Sequence, residues 1–156
     1  MYQKILIPLD GSELAECSLD HAKAIAQGCR VPEVILFRAM EPLPVRNLPP
    51  LAEARGVSIR SDIEREQQEA KDYVLKIENK LKAEGIPSQA ITVEGEAAHE
   101  ILNYAENNNV DLIIMCTHGR SGLSRFLFGS VAEKVSRHSR VPVLLISPEA
   151  CRHPAP

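Results

Sequence analysis

Short apolar runs alternate with helical patterns along the chain, and this alternation limits the possible folds more than any other feature. The runs are apolar without interruption, as in strands of a parallel sheet that helices cover on both faces. The predicted strands lie at 4–10, 33–40, 90–94, 111–117 and 141–147, and the predicted helices at 13–27, 62–84, 97–107 and 130–138. This order predicts an α/β fold, a doubly wound parallel five-stranded sheet with helices on both faces and right-handed crossovers.

Details of the elements follow from the same patterns. In the first helix an inward face is predicted at Leu14, Cys17, His21, Ala24 and Ile25, which recur at helical spacing. Four prolines within residues 41–50 predict a loop before the second helix. We expect a single domain at residues 1–147 and a frayed C-terminal tail at 148–156.

Composition excludes several classes of protein. The chain has 156 residues, 44% of them apolar and 25% charged, with a net charge of -3. No broad basic surface is implied, so no nucleic-acid partner is expected. No apolar run approaches the ~20 residues that span a bilayer, and the first residues lack the apolar core of a signal peptide. We therefore expect a cytoplasmic protein without a membrane partner.

The cysteines and histidines show no ligand spacing. Cys17, Cys29, Cys116 and Cys151 form no C-x-x-C pair, and the five histidines are scattered. No structural metal is expected, and in a reducing cytosol most of the cysteines should be free thiols.

Two polar stretches follow strands whose carboxyl ends should meet. Residues 8–12 (PLDGS) follow the first strand, and residues 117–122 (THGRSG) follow the fourth. Ligands of doubly wound sheets bind outside the carboxyl ends of the strands, where the strand order reverses. We therefore expect these stretches to be neighbours in space.

The second stretch and the helix after it have the chemistry of a phosphate cradle. Glycines such as Gly119 and Gly122 let backbone N–H groups point at an anion. The last helix then begins near Gly129 and Ser130, where unpaired N–H groups and a partial positive charge favour anions. The same residues also fit an ordinary turn with Ser130 as a helix N-cap.

Asp10 has two readings as well, because it fits a ribose or magnesium ligand and equally a cap of the first helix. Its predicted position beside a glycine-rich loop favours a nucleotide. The pattern is not a P-loop, since G-K-[ST] is absent.

At these residues the chain resembles the universal stress protein family, from ILIPLDGSELAE through LIIMCTHGRSGLSRFLFGSVAEKV to PVLLI. ATP-binding members of the family carry G-x-x-G, then nine residues, then G-[ST]. Gly119, Gly129 and Ser130 match this pattern, and Cys116 stands in place of its first glycine. The resemblance implies a sheet of strand order 3-2-1-4-5.

The resemblance also implies a site for ATP, alone or with Mg²⁺. Asp10 would contact the ribose with Pro8 and Leu9 beside it, and the backbone of Ala39 would meet the adenine. The ribose and phosphates would be held by Cys116, His118, Gly119, Arg120, Ser121, Gly122, Gly129, Ser130 and Val131. The fifth strand is apolar and should lie at an edge of the sheet. This position and the resemblance both indicate a homodimer through Val141 to Ile146. We expect the chain to act as a nucleotide-dependent switch in the stress response, with an unidentified protein partner.

Cys116 bears directly on ligand binding. A positive φ at this position would strain a cysteine. An extended backbone with the thiol turned into the core would not. We expect ATP binding to survive with Cys116 in place, and Cys116→Gly to bind ATP more tightly.

Alternative functions stay open at this point. If the nucleotide site no longer binds its ligand, the chain would act as a nucleotide-independent, dimeric protein-interaction module. Slow ATP hydrolysis or autophosphorylation of Ser130 is one open alternative. Turnover of a separate substrate is not expected, because the sequence shows no nucleophile–base–acid set. Cys116 could also act as a redox sensor near a helix start.

Overall fold

The computed structural model describes residues 2–41, 56–117, 129–147, 149 and 150, without the side chains of residues 56–61. Strands and helices alternate throughout these ranges. In chain order the elements are β1 (Lys4–Pro8), α1 (Glu13–Cys29), β2 (Glu33–Met40), α2 (Gly56–Ala83), β3 (Ser88–Glu94), α3 (Ala97–Asn107), β4 (Leu112–Cys116), α4 (Ser130–His138) and β5 (Val143–Ile146).

The five strands form one parallel sheet of order β3-β2-β1-β4-β5. Both the predicted fold class and the strand order are confirmed. β1 lies at the centre, with Ile5 opposite Val34 of β2 on one side and Leu112 of β4 on the other. The strand order reverses between β1 and β4, so a crevice for a ligand is expected at their carboxyl ends.

Two apolar layers cover the sheet, one on each face. The first layer, packed by α1 and α2, includes Ile5, Ile7, Leu9, Leu19, Val34, Leu36, Val74, Leu81, Ile114 and Cys116. The second layer, packed by α3 and α4, includes Leu6, Ile35, Phe37, Ile101, Ile113, Met115 and Val135. Successive residues of each strand therefore enter opposite layers, and β4 is buried along its whole length as predicted.

The predicted face of α1 is wrong by about one position. The buried residues are Ala15, Ser18, Leu19, Ala22 and Ala26, whereas His21 and Ala24 are exposed. Small side chains occupy the face that packs on the sheet, so a search for larger apolar residues finds the flank of the helix. Leu14, Cys17 and Ile25 lie on that flank, half-buried.

Element bounds differ from the predictions mainly at α2, which begins at Gly56 instead of Asp62. β1, β4 and β5 are shorter than predicted, while α3 and α4 have the predicted bounds. The predicted proline loop lies almost wholly outside the described residues.

Cys29 and Cys116 are free thiols, whereas Cys17 is disulfide-bonded and so departs from the expected state. Within the described ranges, no helix is long and apolar enough to cross a membrane. Those ranges also contain no group of three potential metal ligands.

Candidate functional site

The stretch after β1 forms a tight polar turn at the carboxyl edge of the sheet. The Asp10 carboxylate accepts hydrogen bonds from the Ser12 backbone N–H (2.9 Å) and the Ser12 hydroxyl (2.6 Å). Between them Gly11 has a φ of 84°, a conformation that glycine adopts without strain. Ser12 is the N-cap of α1 and accepts from the Ala15 N–H at 3.1 Å. The capping role considered for Asp10 therefore belongs to Ser12.

Backbone contacts join the end of β1 to β2. Pro8 is the last residue of β1 and lies opposite Phe37, and the Leu9 N–H donates to the Phe37 carbonyl at 2.8 Å. Leu9 itself is buried in the first layer. Ala39 lies near the end of β2, half-buried against the second layer. Asp10 and Ala39 therefore belong to neighbouring strand ends.

The start of α4 is held against the end of β4. The Gly129 N–H donates to the Thr117 carbonyl at 2.5 Å, although residues 118–128 separate the two in sequence. Gly129 is the N-cap, with extended backbone and no side-chain cap hydrogen bond within the described ranges. Ser130 is the first helical residue and is exposed, so it is not the N-cap. Val131 follows it, half-buried against the second layer.

This geometry sets the chemistry of the α4 start. The N–H groups of the first helical turn have no carbonyl partner inside the helix. Side chains of Ser12 and Glu96 supply such partners at α1 and α3, but glycine supplies none at α4. The first turn of α4 can therefore direct backbone donors at an anion.

Cys116 is the last residue of β4 and faces away from α4. It is only 6% exposed, pairs with Ile146 of β5 and packs in the first layer. Among the described residues positive φ occurs outside glycine only at Arg30 and Asn109, so Cys116 is unstrained. Burial raises the pKa of its thiol to about 11. A hydrogen bond with the Ser18 backbone opposes this rise only in part, and the negative charge of Asp10 adds a smaller increase. A neutral thiol is a poor redox sensor.

Arg38 introduces a charge into the first layer near the same edge. It is 8% exposed, and its guanidinium carbon lies 5.8 Å from the centre of the Tyr73 ring. Burial raises the pKa of Tyr73, and the Glu16 carboxylate adds to this effect. Asp10 acts on the Tyr73 hydroxyl in the same direction, so the Asp10 turn and this cluster share one electrostatic environment.

A cleft of about 500 Å³ opens beside this cluster, between the Asp10 turn and α2. Its lining residues are Gly11, Arg38, Asp62, Arg65, Glu66, Glu69, Ala70 and Tyr73. Its three carboxylates outnumber its two guanidinium groups, and Arg65 is paired with Asp62 at 3.0 Å and with Glu69 at 3.8 Å, so phosphates are disfavoured there. It also lies on the first-layer face of the sheet, opposite α4.

On the other face, charged side chains connect the start of α3 to the middle of α4. Glu96 is the N-cap of α3 and accepts from the His99 N–H at 3.0 Å. The Lys134 ammonium lies 3.3 Å from the other carboxylate oxygen of Glu96. Burial opposes ionisation of Glu96, but the hydrogen bonds from His99 and Lys134 outweigh it and lower its pKa.

The structure thus brings part of the predicted site together. Asp10, Ala39, Cys116 and the Gly129–Val131 segment all lie at the carboxyl edge near the reversal of strand order. His118, Gly119, Arg120, Ser121 and Gly122 lie outside the described residues.

Comparison with known proteins gives the family. A model of the universal stress protein family matches residues 1–147. The chain belongs to this family. A universal stress protein of Methanocaldococcus jannaschii, MJ0577, is 34% identical over 155 residues, which cover 94% of this chain and 95% of the relative. A solved structure of MJ0577 superposes with a TM-score of 0.79, covering 94% of this chain and 96% of that one. The resemblance read from the motifs is confirmed.

Two more distant family structures contain nucleotides. A universal stress protein solved in complex with cAMP is 22% identical, with a TM-score of 0.65 and coverage of 94% of this chain and 97% of that one. A family protein of Arabidopsis thaliana with AMP bound is 14% identical, with a TM-score of 0.63 and coverage of 98% and 96%. At these identities the likeness to this universal stress protein shows the fold alone.

Sequence reasoning missed Arg38, Tyr73, Glu96 and Lys134. A signal existed for Arg38, which is the one charge inside the apolar run VILFRAM. For the Glu96–Lys134 pair no signal existed, because its two residues lie on different helices and only the fold brings them together.

Proposed function

We propose that this universal stress protein binds ATP, alone or with Mg²⁺, at the carboxyl ends of β1 and β4. The observation that carries the proposal is the hydrogen bond from Gly129 to Thr117, which places the glycine-capped start of α4 directly beside the end of β4. Gly129 and Ser130 are the last two positions of the family's ATP-binding pattern. Their backbone donors would hold phosphates.

The nucleoside end would lie toward β1 and β2. Two hydrogen bonds from Ser12 orient the Asp10 carboxylate at the end of β1, where it would meet a ribose hydroxyl. Pro8, Leu9 and the Ala39 backbone would border the sugar and the base. The acidic rim of the cleft on the other face disfavours a reversed orientation with phosphates at that end.

The family relatives support an adenine nucleotide as the ligand. One relative is solved with cAMP and one with AMP, and both share the fold of this chain. Both ligands have the adenosine moiety and a single phosphate in common. ATP in this chain follows from the pattern at Gly129 and Ser130, together with Gly119.

Binding would act as a switch in the stress response. Nucleotide-bound and nucleotide-free chains would present different surfaces to a protein partner, and the ligand would shift the balance by its difference in affinity for the two. A homodimer through Val141 to Ile146 would place two such sites in one assembly.

Amide chemical shifts of an isotope-labelled chain, followed during addition of ATP, test the location of the site. We expect saturable shifts at Asp10, Ala39 and Gly129 to Val131, and small shifts at α2. Saturable shifts confined to the cleft residues of α2 would contradict the proposed site.

A further inference from the structure

An ion pair between Lys134 and Glu96 connects the middle of α4 to the start of α3 on the second-layer face. The Lys134 ammonium is 3.3 Å from Glu96, which is itself the N-cap of α3. Both side chains are exposed, at 60% for Lys134 and 49% for Glu96. The ammonium is therefore held near the carboxyl edge of the sheet, where α3 begins.

Lys134 also stands one helical turn after Ser130. Residues four apart lie on the same side of a helix, with Cβ atoms roughly 5–6 Å apart. Helical side chains lean toward the N-terminus of their helix, so Lys134 extends back along the first turn of α4. Its contact with the cap of α3 agrees with this direction. The ammonium is thus within reach of an anion that is bound at the α4 start.

We propose that Lys134 binds the outer phosphates of the nucleotide, exchanging Glu96 for the ligand, and that it thereby favours ATP over AMP. This inference rests on the proposed function, because it assigns a further residue to the same site. AMP has one phosphate, which the backbone donors at Ser130 and Val131 can hold alone. The additional phosphates of ATP need a further positive charge. Among the cationic side chains of α4, Lys134 is the closest in sequence to Ser130.

The exchange is favourable on physical grounds. An exposed lysine–carboxylate pair is weak, so little is lost when Lys134 leaves Glu96. A triphosphate has more negative charge than one carboxylate, so the Lys134 ammonium is attracted more strongly to the ligand than to Glu96. Glu96 keeps its hydrogen bond to the His99 N–H, so α3 stays capped during the exchange.

Calorimetric titration of the full chain with ATP and with AMP tests this role. Lys134→Met should weaken ATP binding about fivefold and AMP binding less than about twofold. Lys134→Arg keeps the charge and should restore most of the ATP affinity. The matched control is Arg137→Met, which removes an exposed charge from the same helix at a position where Arg137 pairs with Glu133 at 3.0 Å. This control should leave both affinities unchanged.

Glu96→Gln provides the reverse change. The glutamine can still accept from the His99 N–H, but it no longer competes for Lys134. ATP binding should therefore become about twofold tighter, an effect of the size expected for an exposed ion pair. If Lys134→Met weakens ATP binding and AMP binding equally, or weakens neither, the proposed role of Lys134 is wrong while the proposed function still stands. Absence of ATP binding by the unaltered chain would overturn the proposed function and this role with it.

Discussion

The backbone N–H of Gly129 donates to the carbonyl oxygen of Thr117 at 2.5 Å, and this bond joins the start of α4 to the end of β4. Both partners are backbone atoms, so the bond does not depend on either side chain. It places the N–H groups at Ser130 and Val131 at the carboxyl edge, near the reversal of strand order between β1 and β4. A side chain introduced at position 129 can therefore alter the electrostatics of the site while the backbone geometry is kept.

A carboxylate introduced at Gly129 should separate helix stability from ligand binding. Gly129 has a φ of -67°, which any residue adopts, so Gly129→Asp fits the backbone. Aspartate is a good N-cap, and we expect α4 to gain a few tenths of a kcal/mol in stability. The same carboxylate would occupy the donors that phosphates need and would repel them, so ATP should bind at least about tenfold more weakly.

Gly129→Asn is the control for this change, because asparagine caps a helix equally well without a charge. Urea unfolding and calorimetric titration measure the two effects separately. Intact ATP affinity in Gly129→Asp would show that phosphates do not lie at the α4 start.

Cys116→Gly should reduce stability and leave ATP affinity nearly unchanged. The sequence alone suggested tighter binding through relief of strain, but Cys116 has no positive φ and its side chain packs in the first layer. Loss of buried atoms and the freedom of glycine in a strand together cost about 1–3 kcal/mol of unfolding free energy. ATP affinity should stay within about twofold, a change of under half a kcal/mol.

Cys116→Ala separates these causes, since it removes only the sulfur. Urea unfolding of both variants should show alanine as the milder change. An affinity gain of tenfold or more that is confined to the glycine variant would contradict the unstrained geometry at position 116.

The two free thiols of the described residues, Cys29 and Cys116, should react at very different rates. Cys29 is half-exposed, whereas Cys116 is buried and has a pKa raised from 9.0 to about 11. Alkylation by iodoacetamide at pH 8, followed by peptide mass, should be slower at Cys116 by about a hundredfold or more, since the thiolate is the reactive form. In denaturant the two rates should converge, and equal rates in the folded chain would restore the redox-sensor hypothesis.

The same shift has a pH consequence for stability. The folded-state pKa of Cys116 lies above its unfolded value, so its contribution is fully present below pH 9 and is lost as the pH rises from 9.0 toward 11. Urea unfolding between these pH values, compared with Cys116→Ala, measures this contribution. A fall in stability of the same size in both proteins would show that the thiol has no part in it.

A charge at Leu144 should separate the proposed dimer. β5 is an edge strand, and three of its four residues are only half-buried in the single chain. An apolar edge of this kind pairs readily with another strand. We expect Leu144→Lys to give monomers by light scattering, while Thr92→Lys on the opposite edge strand β3 leaves the dimer intact. A dimer that survives in folded Leu144→Lys would exclude β5 as the interface.

The fold could be predicted from sequence because its signals are local. Continuous apolar runs and glycine or serine boundaries fix the strands and the bounds of α3 and α4. The face of α1 could not be predicted in this way, because Ala15, Ala22 and Ala26 pack on the sheet through their small size and not through hydrophobic strength. The pattern of larger residues pointed to the flank.

For the site, the sequence predicted which loops matter but not how their residues are used. Motif spacing identified Asp10 and Gly129, yet only the folded geometry assigns the α1 cap to Ser12 and the α4 cap to Gly129. The direction of the Cys116 thiol depends on the register of β4 in the sheet. Lys134 and Glu96 meet only because α3 and α4 pack side by side, and no local pattern records that contact.

Calorimetric titration of the chain with ATP, after release of any bound nucleotide by unfolding and refolding, tests the central claim most directly. We expect one ATP per chain with micromolar affinity, and binding at least about tenfold weaker in Gly129→Asp. No heat of binding and no displacement of a labelled ATP analogue at millimolar ATP would contradict it. The carboxyl edge would then be a lapsed nucleotide site, and the function would lie with the surfaces that bind protein partners.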